Sequence, residues 1–271
     1  MSGTAGSATT RIALGPVVVA GTGTGVGKTV ATAALAAAAR AAGLDVGICK
    51  PIQTGLGPAE PGDVDEAARL SGVRRVLEIR RLPAPLAPET AARIAGLPQA
   101  TLPELVEPIR AWAAEPGGPG PGPGGPGAGP GGPGAGRGCA PGRLDLIEGA
   151  GGVLVRLGTD LTVLDLAAAL DAPVIVVARA GLGTLSDTEL AVRAIDSAGL
   201  RCTGIVIGSW PREPDLAERL NLEDLPRLTR VPVLGRVLAG AGALPPAEFA
   251  RLAPGWFECD VPAAQGAFAH A

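Results

Sequence analysis

Apolar positions in this chain fall into short unbroken runs, each followed by glycine and then by an alanine-rich or amphipathic stretch. The run over 14–20 is β-branched and closes on glycines, which predicts a buried parallel strand. Residues 29–42 read as a helix from their alanine content, and Gly43 ends it. Residues 45–50 predict a second strand, broken by Pro51, and 63–70 a short helix with acids in its first turn. A helix is expected over 102–114, and a third buried strand over 144–147, ending at Glu148 and the glycines behind it. Further short strands are expected at 174–178, 203–207 and 231–234, with helices at 161–170, 185–198 and 214–220. Repeated strand–helix alternation of this kind predicts an α/β fold with a mostly parallel sheet flanked by helices.

One stretch breaks the alternation. Residues 116–136 are glycine and proline except for Ala128 and Ala135. The glycines keep no three-residue period, which excludes collagen, and the tract has nothing apolar to bury. It reads as an insertion without chemistry in a single domain spanning 14–271, behind a small-residue, disordered tail at 1–13.

Composition narrows the chemistry. The chain has 271 residues and a formal net charge of −3, with no basic footprint for nucleic acid or an anionic membrane surface. Its single histidine is His270, so a catalytic triad, a His-ligated zinc site and a Cys–His glutaminase pair all lack a required residue. The four cysteines, Cys49, Cys139, Cys202 and Cys259, have no C-x-x-C spacing, and no secretory signal opens the chain. Reduced thiols in a cytoplasmic protein are the expectation. No apolar run is long enough to span a bilayer. Of the 23 basic residues only Lys28 and Lys50 are lysine. A compact ammonium suits sites among phosphate oxygens where a guanidinium fork does not fit, so these two positions are the first candidates for chemistry.

Lys28 closes the strongest motif. Gly21-Thr22-Gly23-Thr24-Gly25-Val26-Gly27-Lys28-Thr29 follows the first strand and opens a helix, the arrangement of a phosphate-binding loop. Glycines there let backbone N–H groups converge on phosphate oxygens, Lys28 faces the β- and γ-phosphates, and the Thr29 hydroxyl reaches Mg²⁺. Five residues rather than four separate Gly21 from Gly27, and Thr22 stands where the usual spacing places a glycine. Opposite the loop, Glu148 sits at the carboxyl end of a strand, where open α/β sheets bind ligands, while Asp145 lies near the strand's start and reads as structural. Asp63, Asp65 and Glu66 are each possible second metal ligands. Lys50 lies in Cys49-Lys50-Pro51-Ile52-Gln53-Thr54-Gly55, and strand alternation turns Cys49 to the core and Lys50 to the site.

These blocks, with Glu148-Gly149-Ala150-Gly151-Gly152 and Leu182-Gly183-Thr184-Leu185, together resemble the dethiobiotin synthetase family in order and spacing from about Val17 to at least Trp210. The resemblance implies a P-loop NTPase-like fold in a homodimeric, cytoplasmic ligase of biotin synthesis that uses ATP and Mg²⁺. Its substrates would be CO₂ and 7,8-diaminononanoate, with no nucleic acid or membrane partner. It further implies that Gly25, Val26, Gly27, Lys28, Thr29 and Val30 bind nucleotide, with Gly149, Ala150 and Gly151, and that Thr24, Thr54 and Gly151 meet substrate. Matching through Arg69-Leu70 selects Asp63 beside Thr29 and Glu148 as the metal ligands. Lys28 and Lys50 are the implied catalytic residues. The family's adenine-facing asparagine loop reads Gly208-Ser209-Trp210 here, and its Asn-His pair after the Leu-Gly motif reads Ser186-Asp187. Trp210 could stack on a base, but a buried structural tryptophan is the favoured reading. Two other phosphate-loop classes fit less well. Cobyrinate-type synthetases carry a glutaminase histidine, and partitioning ATPases have a lysine where this loop has Gly23.

Overall fold

A computed structural model describes residues 14–115 and 142–258. The tail expectation at 1–13 and the glycine/proline tract at 116–136 lie outside the described residues, as do Cys139, Cys259 and His270.

The chain begins β1 (Gly15–Gly21), α1 (Lys28–Ala41), β2 (Asp45–Thr54), α2 (Asp63–Ser71), β3 (Arg75–Leu82), α3 (Pro88–Ile94) and α4 (Leu102–Ala114). It continues β4 (Arg143–Gly152), β5 (Arg156–Gly158), β6 (Leu161–Thr162), α5 (Val163–Ala169), β7 (Val174–Ala178) and α6 (Thr184–Ser197). Last come β8 (Cys202–Trp210), α7 (Leu216–Thr229), β9 (Val233–Leu238) and α8 (Pro246–Leu252). Seven strands form one sheet in the order β3-β2-β4-β1-β7-β8-β9, with every pairing parallel. β5 and β6 make a separate antiparallel pair.

Period-two alternation sorts β1 between two cores. Val17 and Val19 pack with α1, α2 and α8 on one face, and Val18 and Ala20 pack with α4 and α5 on the other. α1 carries a run of buried alanines, which lets the helix lie close to the sheet. β1 is central, and the chain leaves it toward β4 and β2 on one side and β7 on the other. That topological switch opens a crevice beyond the carboxyl ends of β1 and β4, where ligands bind in such sheets.

The expected α/β architecture is the observed one, with local differences. Pro51 does not break β2, which runs on to Thr54. Pairing with β4 stops at Cys49, so beyond it β2 is bonded only to β3 and tolerates a residue without an N–H. β3 was not expected from the sequence. It is one of the sheet's two edge strands, and Arg75, Glu78, Arg80 and Arg81 interrupt its apolar pattern, as edge strands often require. α3 and α8 are likewise additional. Leu161 and Thr162 belong to β6, and the Thr162 hydroxyl then caps α5 by accepting from the Asp165 N–H. The helix expected over 214–220 extends as α7 through Pro226, with Leu225 fully buried beneath it. That burial offsets the hydrogen bond proline removes. The strand expected over 231–234 starts at Val233 and ends at Leu238. Among the described residues no helix is long and apolar enough to cross a membrane.

Candidate active site

The phosphate loop links β1 to α1, and its conformation depends on glycine at two positions. Gly25 has φ 74° and Gly27 has φ 90°, both in the left-handed region that side chains resist. A Cβ on Gly27 would also lie 2.5 Å from the Gly208 carbonyl oxygen, so the loop rests directly on the end of β8. No acid lies in the first turn of α1, which leaves its N-terminal N–H groups and dipole free for an anion. Lys28 folds back and donates to the Gly23 carbonyl at 2.7 Å, placing its ammonium across the mouth of the loop.

Register brings the second lysine to the first carboxylate. Cys49 pairs with Ile147, so the next residues on the two strands, Lys50 and Glu148, lie side by side. Both are buried, at 4% and 2% exposure. Lys50 Nζ donates to Glu148 Oε1 at 2.8 Å and to the Gly149 carbonyl at 3.3 Å. It also pairs with Asp63 Oδ2 at 2.5 Å. The Thr29 hydroxyl donates to the same Glu148 oxygen at 3.1 Å. Four side chains from β2, β4, α1 and α2 thus meet at one point. The other acids at the start of α2 are engaged elsewhere: Asp65 accepts from the Gly62 N–H, and Glu66 pairs with Arg69. Asp145 is occupied by Arg75 and Arg143 at the far end of β4.

Burial acts on the two lysines with different outcomes. It pulls the Lys28 ammonium down from 10.5 to about 8, with repulsion from Lys50 adding to it and Glu148 opposing. At Lys50 burial also acts downward, but the Glu148 and Asp63 carboxylates outweigh it and hold that ammonium above its ordinary range.

The cluster forms the charged end of a cavity of about 770 Å³. Thr24, Gly25 and Gly27 line it from the loop, Val30 from the first turn of α1, Thr54 from the end of β2, and Ala150 and Gly151 from the end of β4. The lining also has an apolar part, built by Ile52, Pro85, Leu86, Pro88 and Val155. A ligand with a charged reacting group at one end and a methylene chain behind it matches that division.

Known proteins share this framework. The family described as the AAA domain matches residues 16–105 and 143–239. An ATP-dependent dethiobiotin synthetase of Rhodococcus jostii (strain RHA1) is 54% identical over 89% of this chain and 94% of its own length. Another, from Streptomyces avermitilis, is 48% identical over 89% of this chain and 90% of its own length. A third, from Corynebacterium efficiens, is 47% identical over 87% and 94%. The chain belongs to the ATP-dependent dethiobiotin synthetase family.

For a dethiobiotin synthetase family member, the structure brings most of the sequence-derived candidates to one cavity. Lys28, Lys50, Thr29, Asp63 and Glu148 form its charged end, and Thr24, Thr54 and Gly151 line it. Val26 and Gly149 stand behind it, Val26 in the core and Gly149 at the Lys50 ammonium. Gly208 is buried under the phosphate loop and Ser209 is exposed, so neither lines this cavity. Trp210 is buried, with the Arg236 guanidinium 5.6 Å from its ring centre. Sequence reasoning missed the apolar wall at 85–88, which follows the unexpected strand β3. The Pro-Leu-Ala-Pro run there marks a rigid turn, but nothing local places it in the same cavity as Lys50. It also passed over Gln53.

Proposed function

We propose that this chain uses ATP to join CO₂ to 7,8-diaminononanoate and closes the ureido ring, giving dethiobiotin, ADP and phosphate. The observation that carries the reading is the Lys50 ammonium, buried between Asp63 and Glu148 where the phosphate loop meets a cavity with an apolar wall. One amine of the substrate captures CO₂ as a carbamate. A carbamate oxygen attacks the γ-phosphorus, and the bond from that phosphorus to the ADP oxygen breaks. The second amine then attacks the carbonyl carbon of the carbamic–phosphoric anhydride. A C–N bond forms, the C–O bond to phosphate breaks, and the amine proton leaves to solvent.

Each residue's part follows from its position. Lys28 and the amides of residues 25–30 hold the β- and γ-phosphates. Lys50 faces the carbamate and the transferring phosphoryl group, where negative charge accumulates. Thr54, Thr24 and Gly151 orient the substrate's polar end, and Ile52, Leu86 and Val155 cover its methylenes. Gly149 and Ala150 border the nucleotide, with Gly208 and Ser209 on the base side. Thr29, Asp63 and Glu148 are hard oxygen donors, and two of them already converge on a single cation, the Lys50 ammonium. They fit Mg²⁺, which takes few protein carboxylates and completes its shell with phosphate and water. When bound, Mg²⁺ neutralises charge on the β- and γ-phosphate oxygens. The reading places the enzyme in the cytoplasm as one domain and as a homodimer, without nucleic-acid or membrane partners. Leu182, 82% exposed before α6, and Leu190 on that helix support a second copy on this face.

Purified protein supplied with ATP, Mg²⁺ and bicarbonate tests the reading. ADP release is expected to depend on 7,8-diaminononanoate, and mass spectrometry should find dethiobiotin in equal amount. ADP release indifferent to the diamine, with no dethiobiotin formed, would overturn it.

A further inference from the structure

Asp63 is the first residue of α2, and the glycine before it cannot cap the helix. Gly62 has no side chain to offer the first-turn N–H groups. A Cβ there would meet only the ends of long side chains, Glu78 Oε2 at 2.8 Å, Arg81 Nη2 at 2.9 Å and Gln53 Oε1 at 3.2 Å, so the Gln53 amide already stands beside the helix start. The Asp63 N–H bonds instead to a residue ten positions earlier, with Gln53 Oε1 accepting at 2.9 Å. The other end of the same amide donates from Nε2 to the Thr54 carbonyl at 3.0 Å. Gln53 is 4% exposed and borders the cavity, so neither bond is readily exchanged for water.

Gln53 and Lys50 ride the same strand, three residues apart. β2 therefore carries both the ammonium that Asp63 meets and the amide that brings the Asp63 backbone to it. The intervening loop is held by a separate hook, since the Arg81 guanidinium donates to the Gly57 carbonyl at 2.9 Å and pairs with Glu78. That hook grips the middle of the loop, while Gln53 grips the residue whose carboxylate enters the site.

We infer that Gln53 is a positioning residue: its side-chain amide caps α2 from β2 and thereby sets the Asp63 carboxylate for the cation shared with Glu148. The inference rests on the proposed reading of Thr29, Asp63 and Glu148 as divalent-cation ligands. Outer-shell partners of this kind commonly control metal affinity by 10–100-fold.

Mn²⁺ titrated into the ADP-bound protein and followed by electron paramagnetic resonance measures affinity without turnover. Gln53→Met, similar in length but unable to accept or donate, is expected to weaken Mn²⁺ binding about tenfold or more. Gln53→Asn, polar but one methylene too short, should do the same and serves if the methionine variant folds poorly. Asp63→Asn provides the reference loss. In the Asp63→Asn background the further effect of Gln53→Met should vanish, because the amide acts only through that carboxylate. Mn²⁺ affinity within about twofold of wild type in both Gln53 variants, with Asp63→Asn weakened, would overturn the inference alone. A Gln53 effect that persists undiminished beside Asp63→Asn would show general loosening and also overturn it. Unchanged affinity in Asp63→Asn would remove the cation-site reading itself, and the inference with it.

Discussion

At the scale of single residues, the site depends on two ammonium groups that burial treats unequally. Lys28 is shifted down to about 8, whereas the carboxylates around Lys50 hold it up. The sign for Lys28 follows from proton counting. Between pH 8 and 10.5 the unfolded chain still binds this proton and the folded one has released it, so stability rises with pH across that window. Relative to Lys28→Met, the nucleotide-free wild-type protein should gain on the order of 3 kcal/mol between pH 8 and 10.5, since one pKa unit is worth about 1.4 kcal/mol. Urea denaturation of both proteins across that range checks it; parallel pH profiles would refute the assignment. On the proposed reading the same variant should lose nucleotide turnover with its fold intact, because the ammonium lies at the mouth of the loop, donating to the Gly23 carbonyl, and not in the hydrophobic core. Lys50 differs in kind. Lys50→Gln keeps the length and removes the charge, and should lower turnover by about 10²–10³ while nucleotide titration changes little, as Lys28 and the loop amides remain. Wild-type turnover in Lys50→Gln would remove Lys50 from the mechanism. Arginine there should not restore the rate, since its planar fork is larger than the gap between Asp63 and Glu148.

At the scale of elements, the site is assembled by strand register, and the parts of it visible in the sequence are those that register carries. β1, α1 and β7 follow from local pattern because their runs are apolar and largely buried, and α4 because its buried Leu105, Val106, Ile109 and Trp112 recur at helical spacing. The phosphate loop, Lys50 and Glu148 were legible for a related reason: each follows the end of an apolar run, although β2 and β4 themselves continue to Thr54 and Gly152. β3 was hidden because an edge strand mixes arginines into its pairing face. Missing it also hid the apolar residues at 85–88, which the β3–β2 pairing brings to the cavity that Lys50 lines. Asp63 could not be chosen over Asp65 and Glu66 from the residues alone, since the choice depends on what engages the other two: the Gly62 N–H and Arg69. Gln53 lay inside a recognised motif, yet its role needs the ten-residue return of the chain to its own strand. At the opposite end of the sheet, Asp145 shows the contrast between acids of structure and acids of chemistry. It is buried against Arg75, whose guanidinium lies 4.0 Å from the centre of the Trp112 ring, and it pairs with Arg143 at 3.5 Å. Asp145→Ala should cost about 3 kcal/mol or more, because two arginines lose their buried counter-charge. Glu148 is three residues further along β4, about 10 Å away, so turnover per folded molecule should be unchanged. A fall in kcat without a fall in stability would mean that Asp145 acts on the site.

At the scale of the whole molecule, the chain between α4 and β4 tests whether fold and catalysis are independent of the glycine/proline tract. The AAA-domain match stops at residue 105 and resumes at 143, which leaves the glycine/proline tract and the later turns of α4 outside it. The described stems on either side are held to each other directly. Arg143 Nη1 donates to the Glu115 carbonyl at 2.5 Å, Arg143 Nη2 to the Trp112 carbonyl at 3.4 Å, and Arg75 Nη1 to that same carbonyl at 3.3 Å. Those bonds tie the end of α4 to the start of β4 and β3, at the pole of the sheet opposite the cavity, since β2 and β4 present Lys50 and Glu148 at their other ends. Two physical consequences follow. The stems are close enough for a handful of residues to join them, and loop-closure entropy changes by only about 0.6 kcal/mol for each halving of loop length. Replacing residues 116–136 by a short glycine–serine linker should therefore leave the urea midpoint nearly unchanged or slightly raised. Turnover and the KM for the diamine should stay within about twofold, because nothing at that pole reaches Lys50 on this account. Loss of activity with the urea midpoint preserved would show that the tract reaches the cavity or a second copy of the chain. An unfolding free energy lowered by several kcal/mol would show that it packs on the Arg75–Trp112–Arg143 cluster.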